Sequence, residues 1–242
     1  MNAIETHGLT KNYKAVKAVN DLNLEVRAGE LFALLGVNGA GKTTTIKMLC
    51  CLAASTSGEA FVGGHSIKDA ALKVKQLIAV VPQETAVAAN LTAEENLKLM
   101  AGLHGLSTDA AEKKIKELTA LLHLEEILKR RAGKLSGGWQ RRLSIAMALV
   151  SEPEILFLDE PTLGLDVLAR SDLWDVIRQL KGHITIVLTT HYMEEAEALS
   201  DRIGIMREGR LLCVGTADEL KASAGASTLE EAFIRIVKEG RV

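Results

Sequence analysis

Proline is scarce. Pro82, Pro153 and Pro161 are the only three in 242 residues, and each stands at the edge of an apolar run, where proline punctuates structure rather than forming a linker. Cysteine is equally sparse. Cys50 and Cys51 are neighbours in the chain and poorly placed to bridge each other, and Cys213 stands alone. There is no CxxC pair to hold a metal and no even-numbered framework of the kind secreted domains use, so the expectation is a reduced, cytosolic protein. A charge excess is missing too. With 29 Lys+Arg against 31 Asp+Glu, the formal net charge is −2, so no global field draws the chain to nucleic acid or to an anionic membrane. No uncharged apolar run approaches the roughly 18 residues of a membrane span. The N-terminus, Met1 to His7, lacks the basic start and apolar stretch of a signal peptide. Any work at a membrane would therefore need other chains to hold this one there.

What is present is ordinary globular usage, 48% hydrophobic and 25% charged, without low-complexity tracts or a repeat period. The length fits one large domain or two small ones. Val19 to Val26 alternates as a half-buried strand, and Ala28-Gly29-Glu30 reads as a turn. Leu31 to Leu35 is continuously apolar, which suits a strand buried on both faces of a parallel sheet. A glycine-rich loop follows, then a helix over Thr43 to Leu52. Ala60 to Val62 and Ile78 to Val81 are short strand signals. From about residue 84 to 150 the pattern is helical: Thr92 and Glu95 have capping-box spacing, and Thr108 to Leu122 carries Ile115, Leu118, Leu121 and Leu122 on one face. Strand signals return at Ile155 to Leu158 and Thr185 to Leu188, with a helix over Val167 to Leu180 between them. A strand pair spans Arg202 to Val214, and a short amphipathic helix covers Thr228 to Lys238. The sum is an α/β domain with a parallel-sheet core and a helical insertion.

Three stretches carry chemistry. Gly36-Val37-Asn38-Gly39-Ala40-Gly41-Lys42-Thr43 fits G-x-x-x-x-G-K-[ST], with a buried strand before it and a helix after it. Glycines let the backbone aim its N–H groups at phosphate oxygens, and the helix adds its positive end. Lys42 reaches the terminal phosphates and Thr43 offers a hydroxyl to Mg²⁺. The second stretch is the apolar strand Ile155 to Leu158, which ends in Asp159-Glu160. Asp159 suits the Mg²⁺ shell; Glu160 suits a general base that polarises the attacking water. The third, Leu135-Ser136-Gly137-Gly138-Trp139-Gln140-Arg141-Arg142, opens a helix with a hydroxyl and two glycines, a second potential anion site. Two such sites imply either two bound phosphate groups or a pocket completed by a second chain.

This third stretch resembles the signature of the ABC (ATP-binding cassette) ATPases, and the resemblance runs from Ile4 to about Leu220. It implies the family's fold: a P-loop NTPase with a parallel-sheet core, an N-terminal antiparallel β subdomain and an inserted α-helical subdomain. The implied boundaries are a cassette over residues 1–220, with helices inserted at about 84–150, and a short helical tail over 221–242. The resemblance also implies roles. Tyr13 stacks on adenine, Gly36 to Thr44 hold the phosphates, and Thr44 adds a hydroxyl. Gln83 reaches Mg²⁺ and the attacking water; His191 contacts the γ-phosphate. Ser136, Gly137 and Gly138 act on the ATP of a second, head-to-tail subunit, and Asp166 lies in the loop that crosses to it. Trp139 departs from the pattern, since glutamine is common at that position.

The implied cofactors are ATP and Mg²⁺. The implied partners are transmembrane permease subunits and a second ATP-binding subunit, with no nucleic acid, at the inner face of the cell membrane. Asn90 to Leu97, Gly105-Leu106 and Thr228 to Phe233 are similar to a branch of mostly bacterial exporters of drugs, antibiotics, sodium or polymers. A soluble ABC ATPase of translation or DNA repair is the alternative; the single cassette, the lack of a long coiled coil and the lack of a basic tail count against it.

Overall fold

The computed structural model describes residues 1–239, which fall into two compact units. The first comprises residues 1–78, 154–160 and 181 onward; the second comprises 79–153 and 161–180. In chain order the elements are β1 (Asn2–Tyr13), β2 (Val16–Arg27), β3 (Leu31–Leu35), α1 (Lys42–Leu49), β4 (Ser57–Val62), β5 (His65–Ser66), α2 (Ala71–Leu77), β6 (Ile78–Val81), α3 (Ala93–Leu103) and α4 (Thr108–Leu122). Then come α5 (Gly137–Leu149), β7 (Ile155–Asp159), α6 (Val167–Leu180), β8 (Thr185–Thr190), α7 (Met193–Leu199), β9 (Arg202–Arg207), β10 (Arg210–Gly215), α8 (Ala217–Ser223) and α9 (Leu229–Glu239).

The first unit holds two sheets. The antiparallel one has the order β2-β1-β4-β5. β1 was not legible in the sequence: its pairing with β2 shifts register four times, between Asn2 and Ile4, Thr6 and Leu9, Leu9 and Lys11, and Lys11 and Asn12. Each irregularity breaks the period-two pattern by which a strand is read. In the main sheet β9, β3, β8 and β7 lie side by side and parallel, with β10 antiparallel on β9. Every residue of β3, β7 and β8 is buried, as suits the apolar bodies of strands covered on both faces, and the polar Asp159, Thr185, Thr189 and Thr190 are buried with them.

Parallel strands deliver all their C-terminal ends to one edge, where α/β sheets bind ligands. Leu35, Asp159 and Thr190 end β3, β7 and β8 at that edge. Helix α1 stops at Leu49, three residues before the sequence reading, because Cys51 adopts a left-handed backbone (φ 54°). Helix α9 lays Leu229, Phe233 and Ile236 on a cluster containing Ala33, Leu35, Ile203 and Ile205. Such a short helix is marginal alone, but each large apolar side chain so buried contributes about 1.5–3 kcal/mol. The Arg207 guanidinium also donates to the Val237 carbonyl. The tail helix thus packs onto the sheet core.

The second unit is mainly helical. Thr92 and Glu95 form the expected capping box at the start of α3, and α4 buries Ile115, Leu118 and Leu122. Leu121 is only half-buried. Among the described residues no helix is long and apolar enough to cross a membrane. All three cysteines are free; Cys50 is buried, Cys51 and Cys213 half-buried, and burial pushes the Cys213 thiol up to about 11.

Candidate nucleotide site

The loop Gly36 to Gly41 leaves β3 and enters α1 directly. Two of its glycines are required by close approach. A Cβ on Gly36 would lie 2.5 Å from the Met206 carbonyl oxygen, and one on Gly41 the same distance from the Ala18 carbonyl oxygen. Gly41 also has a φ of 105°, in the region that penalises other residues. Ala40 is buried; its carbonyl accepts from the Gly209 N–H at 3.0 Å, while Asn38 and Gly39 are exposed. Helix α1 begins at Lys42 with no side-chain cap and no acidic residue in its first turn, so its positive end is not neutralised locally.

Five predicted residues meet here through side-chain contacts. Lys42 Nζ donates to the Gly36 carbonyl at 2.8 Å and to the Val37 carbonyl at 3.3 Å, and pairs with Glu160 Oε1 at 3.2 Å. The other Glu160 oxygen lies 3.1 Å from His191 Nδ1. Lys42 and Glu160 are 4% and 8% exposed, so this is a buried ion pair, in which each charge depends on the other. The Thr43 hydroxyl donates to Asp159 Oδ1 at 3.0 Å. Glu160 has a φ of 47°, a strained backbone of the kind that persists at functional positions.

Sequence reasoning gave no role to two contacts that hold this arrangement. The Thr189 hydroxyl donates to Asp159 Oδ1 at 2.6 Å and accepts from the Glu160 N–H at 3.0 Å, so one side chain on β8 fixes both Asp159, the last residue of β7, and Glu160 just after it. The Tyr192 ring lies 4.2 Å from the His191 ring, tilted by 40°. The available signal was Thr189-Thr190 at the end of an apolar run, beside His191. Tyr13 ends β1, 46% exposed, with Lys11 Nζ 4.9 Å from its ring centre. Thr44 is half-buried on α1 and makes none of these bonds.

Gln83, Ser136, Gly137, Gly138 and Asp166 lie in the second unit. Gln83 is exposed in the irregular segment after β6. Ser136 precedes α5, exposed and with no side-chain cap bond. Cβ atoms on Gly137 and Gly138 would meet Leu165 Cδ2 at 3.3 Å and Ala169 Cβ at 3.0 Å, so the start of α5 packs closely on the start of α6. Asp166 Oδ1 accepts from the Ala169 N–H at 2.9 Å.

Known proteins share this sequence and fold. Residues 19–163 match the family model described as ABC transporter. The chain is 40% identical over 243 residues to the probable multidrug ABC transporter ATP-binding protein YbhF of Escherichia coli K12, covering 98% of this chain but only 42% of that protein. It is 43% identical over 228 residues to the daunorubicin/doxorubicin resistance ATP-binding protein DrrA of Streptomyces peucetius, covering 94% of this chain and 69% of that one. A solved ATP-binding subunit of an ABC transporter superposes with a TM-score of 0.85 at 31% identity, over 97% of this chain and 99% of that chain. A dimeric ATP-binding cassette, MJ0796, in a post-hydrolysis state bound to ADP and Pi gives 0.79 at 27%, over 88% and 98%. The family model covers more than half of the sequence, and the phosphate loop, acidic strand end and glycine-led helix stand in the arrangement just described; the chain belongs to the ABC transporter family as an ATP-binding cassette.

Proposed function

We propose that this cassette hydrolyses ATP to ADP and phosphate with Mg²⁺ and that the cycle powers a membrane exporter. The observation that carries the reading is the network of Lys42, Thr43, Asp159, Glu160 and His191 at the C-terminal edge of three adjacent parallel strands. The loop amides and Lys42 bind the phosphates, and Tyr13 stacks on adenine. An incoming phosphate competes with Glu160 for Lys42, which releases one carboxylate oxygen for water. Glu160 takes the proton as the water oxygen bonds to the γ-phosphorus and the bond to ADP breaks. His191 holds the other Glu160 oxygen and stands beside the γ-phosphate; Gln83 orients the water.

Thr43 and Asp159 fit Mg²⁺. They offer a hydroxyl and a buried carboxylate 3.0 Å apart, and this hard cation is typically held by one or two carboxylates plus substrate phosphates rather than by a protein cage. When bound, it neutralises charge on the β- and γ-phosphate oxygens.

Ser136, Gly137, Gly138 and Asp166 act on the ATP of a second, head-to-tail copy, and separate transmembrane permease subunits carry the substrate across the membrane. The names of YbhF and DrrA, which speak of multidrug transport and drug resistance, support export. The MJ0796 dimer with ADP and Pi supports the paired arrangement. The chain spans about two-fifths of the length of YbhF. The expected site of work is the cytoplasmic face of the cell membrane.

Two measurements test the reading. Phosphate release should need Mg²⁺ and stop in Glu160→Gln. The Glu160→Gln chain with ATP, pulled from the native membrane fraction, should bring a multi-span membrane protein with it. Ribosomal or nucleic-acid partners without a membrane chain would keep the ATPase and overturn the transport role.

A further inference from the structure

The motif Ser136 to Arg142 contains a side chain that the proposed reaction does not use. Arg141 lies on α5, one turn after the two glycines, and is 4% exposed. Its Nη1 donates to the Pro82 carbonyl and its Nη2 to the Gln83 carbonyl, each at 2.6 Å. All of these residues belong to the second unit. One planar fork therefore holds two successive carbonyls, a geometry that arginine supplies and an ammonium does not. The segment it holds has little other order at that point. Residues 82–88 form no helix or strand, and Pro82 has no N–H with which to extend the β6 ladder. At its far end the segment is tied by Asn96, whose Oδ1 accepts from the Ala88 N–H at 2.8 Å. Beside Arg141, Gln140 Nε2 donates to the Ala132 and Leu135 carbonyls at 3.1 and 3.2 Å, which anchors the start of α5.

We propose that Arg141 is a positioning residue: it fixes the backbone that carries Gln83 to the helix that opens with Ser136, so that the water-orienting amide and the signature helix start are set by one element. The inference rests on the reading of Gln83 given above. It is carried by the burial of Arg141, its paired bonds and the lack of regular structure around Gln83. Pro82 and Gln83 are exposed, so water can serve their carbonyls once the guanidinium is gone. Loss of Arg141 thus releases the segment more than it unfolds the unit. Water orientation tolerates little error, and a misplacement of about 1 Å can cost on the order of 10²-fold in rate.

The test compares Arg141→Met, Arg141→Lys, Gln83→Ala and the Arg141→Met/Gln83→Ala double variant in the full chain. It reads ATP affinity with a fluorescent analogue, kcat at saturating ATP, and thermal unfolding. Arg141→Met should lower kcat by about 10- to 100-fold, with ATP affinity within about twofold of the parent, since the Lys42 loop lies in the other unit. Arg141→Lys should fall between the two and serves as the probe if the methionine variant does not fold. The double variant should be no slower than Gln83→Ala, because coupled residues are non-additive. Multiplying losses would place Arg141 outside the Gln83 path and overturn the proposal. So would a folded Arg141→Met chain with parental kcat while Gln83→Ala is slow; that result removes the Arg141 role alone. Parental kcat in Gln83→Ala would instead remove the reading of Gln83, and this proposal with it.

Discussion

Two helices of this molecule begin with glycines, and they are built for different company. At α1 the loop is closed in by its own unit: Lys42 bonds two loop carbonyls and pairs with Glu160, Thr43 holds Asp159, and Gly41 leaves no room for a Cβ. At α5, Ser136 is exposed and makes no cap bond, and neither a lysine nor a carboxylate stands in the first turn. Helices α3, α4 and α8 have side-chain caps, while α7 has none but carries Glu194 and Glu195 in its first turn. Thr92, Ser107 and Thr216 accept from backbone N–H groups, and each of those helices has acidic residues in its first turn. The short α2 lacks both devices but follows Ala70, without a glycine lead-in. In the proposed reaction α1 carries the means to hold and activate a phosphate, whereas α5 offers donors without a reactive group. In the proposed dimer the first start is a site and the second completes the partner's site.

The largest effect should fall on the α1 side. Glu160→Gln removes the general base, so turnover should drop about 10²- to 10⁴-fold, with ATP binding retained and the dimer trapped. Steady-state phosphate release together with size-exclusion chromatography in ATP reads both. Parental turnover would remove Glu160 from its role.

Lys42→Ala should come next, and in binding rather than in chemistry. A hydrogen bond to a charged group contributes roughly 1.5–3 kcal/mol, equivalent to about 10- to 150-fold in affinity. Equilibrium nucleotide binding tests it, and unchanged affinity would leave the phosphate loop without its lysine. The buried Glu160 carboxylate also loses its partner, so thermal stability should fall.

The comparison is sharpest at Ser136→Ala. If α5 serves a second subunit, a single chain should bind ATP as before, while turnover of the dimer falls about tenfold, the value of one charge-assisted hydrogen bond near 1.5 kcal/mol. Analytical ultracentrifugation in a Glu160→Gln background should show less dimer. A loss of single-chain affinity as deep as that of Lys42→Ala would make the two helix starts equivalent and break the distinction.

Local chemistry was legible in the sequence; distant pairing was not. The phosphate loop and the apolar strand with its Asp159-Glu160 end could be read because each is a short run of residues with its own chemical reason, whereas the role given to His191 came through the family resemblance. Thr189 and Arg141 could not, since their meaning lies in partners 29 to 59 residues away. The same limit hid β1, whose bulges spoil alternation, and the seven-residue helices α2, α7 and α8, too short to show a helical period. The tail helix was readable because Leu229, Phe233 and Ile236 fall at helical spacing and do bury.

Trp139 should give the smallest effect, and it tests whether the departure from glutamine concerns packing or chemistry. The Arg142 guanidinium lies 4.8 Å from the Trp139 ring centre and pairs with Asp172 at 3.0 Å, so a stacked cation ties α5 to α6. Trp139 is half-buried, and a cation–π contact at such a site contributes about 0.5–1 kcal/mol. Trp139→Gln should therefore lower the unfolding free energy by about that amount, seen as a small fall in midpoint in urea titration. Turnover should stay close to the parent's, because the tryptophan holds the helix and offers nothing to a phosphate. A drop in turnover as large as that of Ser136→Ala, with stability unchanged, would mean that the residue after the glycines takes part in the site.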